Sequence, residues 1–318
     1  MDHGAPPFWQ LHRHGSHGRL PLDRPRILAI LNVTPDSFAN AAPLTDPAAA
    51  LEAALRAIAD GADALDIGGE STRPGAPPIP DDEELRRVLP VLRAIRAQHG
   101  PASTIPITID TTKSGVARAA LDAGADAIND VSAGTADPAM IPIAAARGAG
   151  IILMHRVARP QADSYSDQYA QPPLTGSVTD EVAMFLSLRV RTATEAGLPR
   201  EQVLIDPGLG FGKSVPQNLE LIQHTPELVS RVGRPVLSAL SRKSFVGRAG
   251  LARDSTPAER LPATLALSTL HLSLGARIFR VHDTAPHRQA LDAAWAALAP
   301  VTNSIPRHQS GTVRKSRA

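Results

Sequence analysis

Apolar and polar positions along the chain fall into two alternating textures. Short runs rich in Ile, Leu, Val and Ala give way to longer stretches whose apolar residues recur three and four apart. The short runs predict strands at 27–32, 64–68, 106–110, 127–131, 151–155, 203–206, 236–241 and 278–282. The longer ones predict helices at 47–60, 81–99, 113–123, 138–147, 179–196, 216–231, 257–274 and 286–299. Asp46-Pro47 and Asp137-Pro138 supply an N-cap followed by a first-turn proline, and Gly61, Gly124, Gly148, Gly197, Gly233 and Gly275 stand where helices should stop. The strand runs are apolar throughout, as expected of strands covered on both faces. Eight such pairs predict an α/β fold, a single (β/α)8 TIM barrel over residues 25–301. A doubly wound open sheet is the alternative, but it usually has fewer units and a visible switch point.

The C-terminal ends of barrel strands converge on one mouth, where chemistry is found. In order those ends carry Asn32, Asp66, Asp110, Asn129 with Asp130, His155, Asp206, Arg242 with Lys243, and Arg280 with His282. Asp110, Asn129, Asp206 and Lys243 mix acceptors with donors, which suits a flat heterocycle with amide-like edges. Arg73, Arg280 and His282 suit a phosphate-bearing leaving group. Asn32 offers a neutral oxygen, enough for one protein contact to a Mg2+ that keeps water and phosphate ligands. A helical turn starting at Ser244 would give a carboxylate a seat on free N–H groups. In Asp206-Pro207-Gly208-Leu209-Gly210-Phe211-Gly212-Lys213 an apolar strand stops at a carboxylate, and alternate glycines bring the backbone close to something. That loop is not a Walker cradle, because only three residues separate Gly208 from Gly212. Lys213 reads as a solvated charge at the end of the loop, Asp66 and Glu70 as braces of the second loop, and His155 and Asp130 as packing groups.

Composition narrows the class. The 318 residues include no cysteine, which excludes disulfides, zinc thiolates and a thiol nucleophile and favours an intracellular, cytoplasmic location. No apolar run approaches membrane-spanning length. Arg13, Arg19 and Arg24 against Asp2 and Asp23 leave residues 1–24 at +1, and Arg307, Arg314, Lys315 and Arg317 leave 302–318 at +4. Of the formal +2, residues 25–301 therefore hold −3, which argues against a nucleic-acid surface on the body. Both terminal segments read as disordered tails.

Asn32-Val33-Thr34-Pro35-Asp36-Ser37-Phe38 and Asp66-Ile67-Gly68-Gly69-Glu70-Ser71-Thr72-Arg73-Pro74-Gly75 closely resemble the two signature loops of the dihydropteroate synthase family. The resemblance continues through Asp110-Thr111-Thr112-Lys113, Ile128-Asn129-Asp130, Leu153-Met154-His155, the Asp206–Lys213 loop, Ser241-Arg242-Lys243-Ser244 and Arg280-Val281-His282-Asp283, roughly over 26–300. It implies a pterin pocket of Asp110, Asn129, Met154, Asp206 and Lys243. It also implies pyrophosphate contacts from Asn32, Arg73, Arg280 and His282, with Mg2+ on Asn32, and p-aminobenzoate contacts from Phe38, Thr72, Pro74, Phe211, Ser241 and Ser244. The implied reaction joins 6-hydroxymethyl-7,8-dihydropterin pyrophosphate to p-aminobenzoate in a homodimer, by an SN1-like substitution in which Asp110, Arg73, Lys243 and Arg280 act on the charge that develops. Ala39-Asn40-Ala41-Ala42-Pro43 and Arg156-Val157-Ala158 depart from the family pattern. A methyltetrahydrofolate–corrinoid methyltransferase shares the barrel and several pocket residues but has no use for Arg73, Lys243 and Arg280. A non-catalytic pterin-binding paralogue is the other alternative.

Overall fold

The computed structural model describes residues 8–13, 16–34 and 46–298. Eight parallel strands form the wall: β3 (Arg26–Asn32), β4 (Ala64–Gly68), β5 (Ile107–Asp110), β6 (Ala127–Asp130), β7 (Gly150–Met154), β8 (Val203–Asp206), β9 (Leu237–Ser238) and β10 (Ile278–Val281). They pair in the order β8-β7-β6-β5-β4-β3-β10-β9, and a parallel bridge between Ile205 and Val236 joins the two ends of the ring. This is the barrel that the eight repeated pairs predicted. Helices α1 (Pro47–Ala59), α2 (Asp81–Arg96), α3 (Pro101–Thr104), α4 (Ser114–Asp122), α5 (Met140–Arg147), α6 (Val178–Glu195), α7 (Val215–Gln223), α8 (Thr225–Val232), α9 (Ser244–Leu251), α10 (Leu261–Ser273) and α11 (Thr284–Leu298) alternate with the strands. The helix predicted at 216–231 is two helices, divided at His224. The helix predicted at 257–274 begins at Leu261, with α9 placed before it.

Strand parity decides which residues meet where. Leu31, Leu65, Ile67, Ile107, Ile109, Ile128, Ile151, Leu153, Val203 and Ile205 join the helix-facing core. The opposite parity lines the barrel interior. Its lowest layer is apolar, with Leu28, Ala64, Ala127, Ile152, Leu204 and Ile278 in one buried cluster. Above it, along the same strands, come Asp66, Thr108, Asn129 and Arg280, then Asn32, Asp110, Met154 and Asp206.

The expectation for residues 1–24 is corrected. β1 (Phe8–Arg13) and β2 (Ser16–Pro21) form an antiparallel hairpin, and Trp9, Leu11, Leu20 and Leu22 join the lowest interior layer, closing the barrel floor. Trp9 Nε1 donates to the Gln202 carbonyl at 2.8 Å. The signal was local: Trp9/Leu11 and Leu20/Leu22 alternate with polar residues as strand positions do. Residues 302–318 and Phe38, with Ala39–Pro43, lie outside the described residues.

Candidate active site

The interior layers bring five side chains into one hydrogen-bonded ionic cluster. Arg280 Nε donates to Asp66 Oδ2 at 2.5 Å and its terminal nitrogen to Asp110 Oδ2 at 2.6 Å. Asn129 Nδ2 donates to the same Asp66 oxygen at 3.1 Å, and the Thr108 hydroxyl donates to Asp66 Oδ1. Asp66 therefore points into the barrel and does not brace the second loop, which corrects the sequence expectation. Burial opposes the Arg280 cation, but Asp66 and Asp110 outweigh it and hold it above its ordinary value. Burial pushes Asp110 up to about 7, with Arg280 pulling the other way and Asp66 adding to the rise. Asp110 Oδ1 is buried and has no hydrogen-bond partner among the described residues. Gly68 keeps that region open, since a Cβ there would lie 3.4 Å from Asp110 Cβ and 3.7 Å from Asn32 Oδ1. Met154, also buried, stands beside Asp206 in strand register.

The glycine-rich loop after β8 packs as its sequence required. Asp206 Oδ1 accepts from Gly208 N–H at 2.7 Å, and burial raises the Asp206 pKa against Lys243, Gly208, Lys213 and Arg280. A Cβ on Gly208 would overlap the His155 carbonyl oxygen, and one on Gly210 would lie 2.8 Å from Lys243 Cδ. Lys213 is not solvated. It is fully buried and donates to the carbonyls of Gly208 at 2.9 Å, Phe211 at 3.0 Å and His155 at 3.3 Å, and burial brings it down to about 7. Lys243 donates to the Leu209 carbonyl with its ammonium 4.4 Å from the Phe211 ring centroid. Burial lowers it to about 8. Lys243 and Phe211, which the resemblance assigned to different substrates, thus share one contact.

The remaining predicted residues ring this pocket. Ser241 Oγ meets His282 Nδ1 at 3.1 Å and accepts from His282 N–H at 3.2 Å. Burial, then Arg242, Arg280, Arg73 and Lys243, hold His282 well below its ordinary value, which favours the neutral ring. Arg242 has φ 60°, and its guanidinium forms a two-bond pair with Asp283, with Nε to Oδ2 at 2.8 Å. That clamp sets the turn that places Ser241, Lys243 and Ser244, and α9 begins at Ser244 as the sequence allowed.

Thr72, Arg73 and Pro74 are half-buried on the second loop. Glu70 does brace that loop: it accepts from Ile79 N–H at 3.0 Å and from Lys113 Nζ at 2.7 Å. The loop after β7 reaches across to it, with Gly75 N–H donating to the Pro160 carbonyl at 2.7 Å and Gln161 Nε2 to the Ala76 carbonyl at 2.9 Å. The same loop holds the glycine-rich loop through Asp163 Oδ2 and Gly212 N–H at 3.1 Å. Asp163 carried no sequence signal, and Arg242 and Asp283 stood within quoted motifs without an assigned role. The departing Arg156 is half-buried near Asp130, Glu70 and Asp163. Asp130 and His155 are packing groups as expected. Asp130 accepts from Ser132 N–H, Ser132 Oγ and Gly134 N–H, and His155 packs edge-on against Phe185.

For a metal, the donor set is sparse. Among the described residues no three His, Asp or Glu side chains gather to hold an ion. Asn32, at the end of β3 beside Gly68 and Asp110, has a side-chain amide without a protein partner among those residues. One neutral oxygen fits Mg2+ whose other ligands are water and phosphate, and does not fit a metal that needs a protein cage.

Comparisons with known proteins find similar chains. A family model described as pterin binding enzyme matches residues 28–282. A dihydropteroate synthase of Synechocystis sp. is 40% identical over 275 residues, 86% of this chain and 91% of that protein. The solved Xanthomonas albilineans dihydropteroate synthase with 4-aminobenzoic acid superposes with a TM-score of 0.79 at 40% identity, covering 92% of this chain and 99% of that one. The Yersinia pestis dihydropteroate synthase in complex with a sulfonamide drug gives 0.81 at 34% identity, with 91% and 99% covered.

Proposed function

The chain belongs to the pterin binding enzyme family, and we propose that its barrel mouth is a dihydropteroate synthase site. It condenses 6-hydroxymethyl-7,8-dihydropterin pyrophosphate with p-aminobenzoate, giving 7,8-dihydropteroate and pyrophosphate, a transferase step of folate biosynthesis. The observation that carries the reading is Asp110: one carboxylate oxygen is fixed by Arg280, and the other is buried with no donor among the described residues. Such an orphaned acceptor costs about 1–3 kcal/mol until a ligand N–H meets it, and a pterin edge supplies one. The p-aminobenzoate and sulfonamide bound by the relatives suit the Phe211, Lys243 and Ser244 side of the mouth.

The chemical problem is charge separation. Breaking the methylene C–O bond leaves a delocalised pterin cation and a pyrophosphate anion. Asp110 and Asp206 face the ring, with Asp66 one layer below them, in a poorly solvated barrel where their negative charge favours the cation. Arg73, Arg280 and His282 face the departing oxygens, and His282 takes up a proton more readily once an anion sits beside it. Asn32 would hold Mg2+, which supplies further positive charge to the pyrophosphate. p-Aminobenzoate, a weak nucleophile, then forms the C–N bond to the methylene carbon, and the resulting ammonium loses its proton without needing a strong base. The substitution is dissociative. With p-aminobenzoate omitted, a bridging 18O label should scramble within recovered pterin pyrophosphate, whereas rates that track nucleophile strength would overturn the SN1-like order. The reaction itself is tested by pyrophosphate release with and without p-aminobenzoate and Mg2+. Tight pterin binding with no release would instead support a sensor.

Asp206→Asn replaces a pure acceptor by one that donates from half its edge, and its Gly208 bond competes for the remaining oxygen. Pterin affinity by calorimetry should fall about tenfold or more, with p-aminobenzoate affinity little changed. Unaltered pterin affinity would remove Asp206 from the pocket.

The assembly is proposed to be a homodimer, located in the cytoplasm. α10 buries Thr264, Ser268 and His271 along with Leu272 and leaves Leu270 exposed, which suits a covered outer face. No helix among the described residues is long and apolar enough to cross a membrane.

A further inference from the structure

Asp66 belongs to neither substrate's predicted contacts, yet its carboxylate is fully buried one layer below them and accepts from three side chains. We propose that Asp66 is the positioning residue that fixes the hydrogen-bonding polarity of the pterin pocket, by holding the Asn129 amide and the Arg280 guanidinium. This rests on the dihydropteroate synthase reading.

The reasoning starts from the Asn129 amide. With Nδ2 at 3.1 Å from Asp66 Oδ2, the reversed amide would set two acceptors against each other, so the network determines the orientation. Asn129 Oδ1 is then the end left for a ligand. Arg280 is fixed by Nε on the same carboxylate, and its terminal nitrogen occupies Asp110 Oδ2, which leaves Asp110 Oδ1 as a second acceptor. The Thr108 hydroxyl on Oδ1 keeps Asp66 from rotating. Asp66 thus touches no substrate, but sets two acceptors from different strands toward the N–H groups of one ring. An amide at position 66 cannot do this. With its oxygen on Thr108, its NH2 faces the Asn129 and Arg280 donors, so Asn129 turns and presents NH2 to the ligand, while Arg280 loses one of its two anions.

The test is steady-state kinetics of Asp66→Asn with each substrate varied separately, beside Asn129→Ala and the double variant. Asp66→Asn is expected to raise the KM for pterin pyrophosphate tenfold or more and to leave the KM for p-aminobenzoate within twofold. In the Asn129→Ala background it should add less than it does alone. A pterin KM within twofold of the parent, equal damage to both substrates, or fully additive effects overturns the proposal. If Asp66→Asn does not fold, Thr108→Val decides. It removes one donor to Asp66 and keeps the shape, and should raise the pterin KM about threefold with p-aminobenzoate unaffected, whereas an unchanged pterin KM overturns the idea. Turnover by the parent protein tests the synthase reading separately, and pterin titration by calorimetry reads the Asp66 effect even without turnover.

Discussion

Arg280→Ala should lower kcat/KM by about a thousandfold, the scale of losing one preorganised charge at a developing ion. The same change should cost about 3–5 kcal/mol of stability, because Asp66 and Asp110 then stay buried without their cation. The two effects separate in the pH profile. Arg280 works to lower the Asp110 pKa, so removing it raises that pKa above about 7. The ionised fraction at neutral pH falls, and the acid limb of activity moves to higher pH. Arg280→Lys keeps the charge but cannot span both carboxylates, and should fall between the two in activity and stability. Activity within tenfold of the parent together with an unchanged melting temperature would show that this guanidinium holds neither the carboxylates nor the leaving anion.

That prediction depends on a contact the chain did not advertise. The eight strand runs and their polar ends were legible because strands covered on both faces read as unbroken apolar runs, so the first carboxylate marks where the wall stops. Asp110 and Asp206 follow from that rule, while Asn129 and Lys243 were read from polar groups at or just beyond the ends of such runs. Asp66 and Asp110 look alike in the same rule, and only strand register separates them: Asp66 pairs with Thr108 one layer down, while Gly68 pairs with Asp110 at the rim. Lys213 misled for a related reason. A lysine after a glycine reads as solvated, yet three carbonyls of its own loop and its neighbour enclose it, and those contacts exist only once the loop is folded. The hairpin over 8–21 went unread because Trp9, Leu11 and Leu20 are spread through a His- and Gly-rich stretch, and with Leu22 they acquire a core only from the barrel floor. Phe38, predicted for the p-aminobenzoate side, lies outside the described residues.

The glycine-rich loop yields the other large effect. Gly208→Ala should reduce kcat/KM about a hundredfold and stability by about 2–4 kcal/mol, through two distinct causes. Gly208 has φ +71°, which any side chain strains, and its Cβ would overlap the His155 carbonyl oxygen, a backbone atom that cannot swing away. Relief requires the loop to leave β7. Gly208 N–H then leaves Asp206 Oδ1, Lys213 loses the carbonyls that enclose it, and the Phe211 ring moves from Lys243. Gly197→Ala isolates the first cause: at φ +94° with nothing within 4 Å of the added Cβ, it carries strain without collision and should cost about 1 kcal/mol with activity retained. Denaturant unfolding and kinetics of both variants decide the matter. If Gly208→Ala matches Gly197→Ala in both measurements, the loop yields without disturbing the pocket, and close packing of this backbone on β7 is not what holds Asp206 and Phe211 in place.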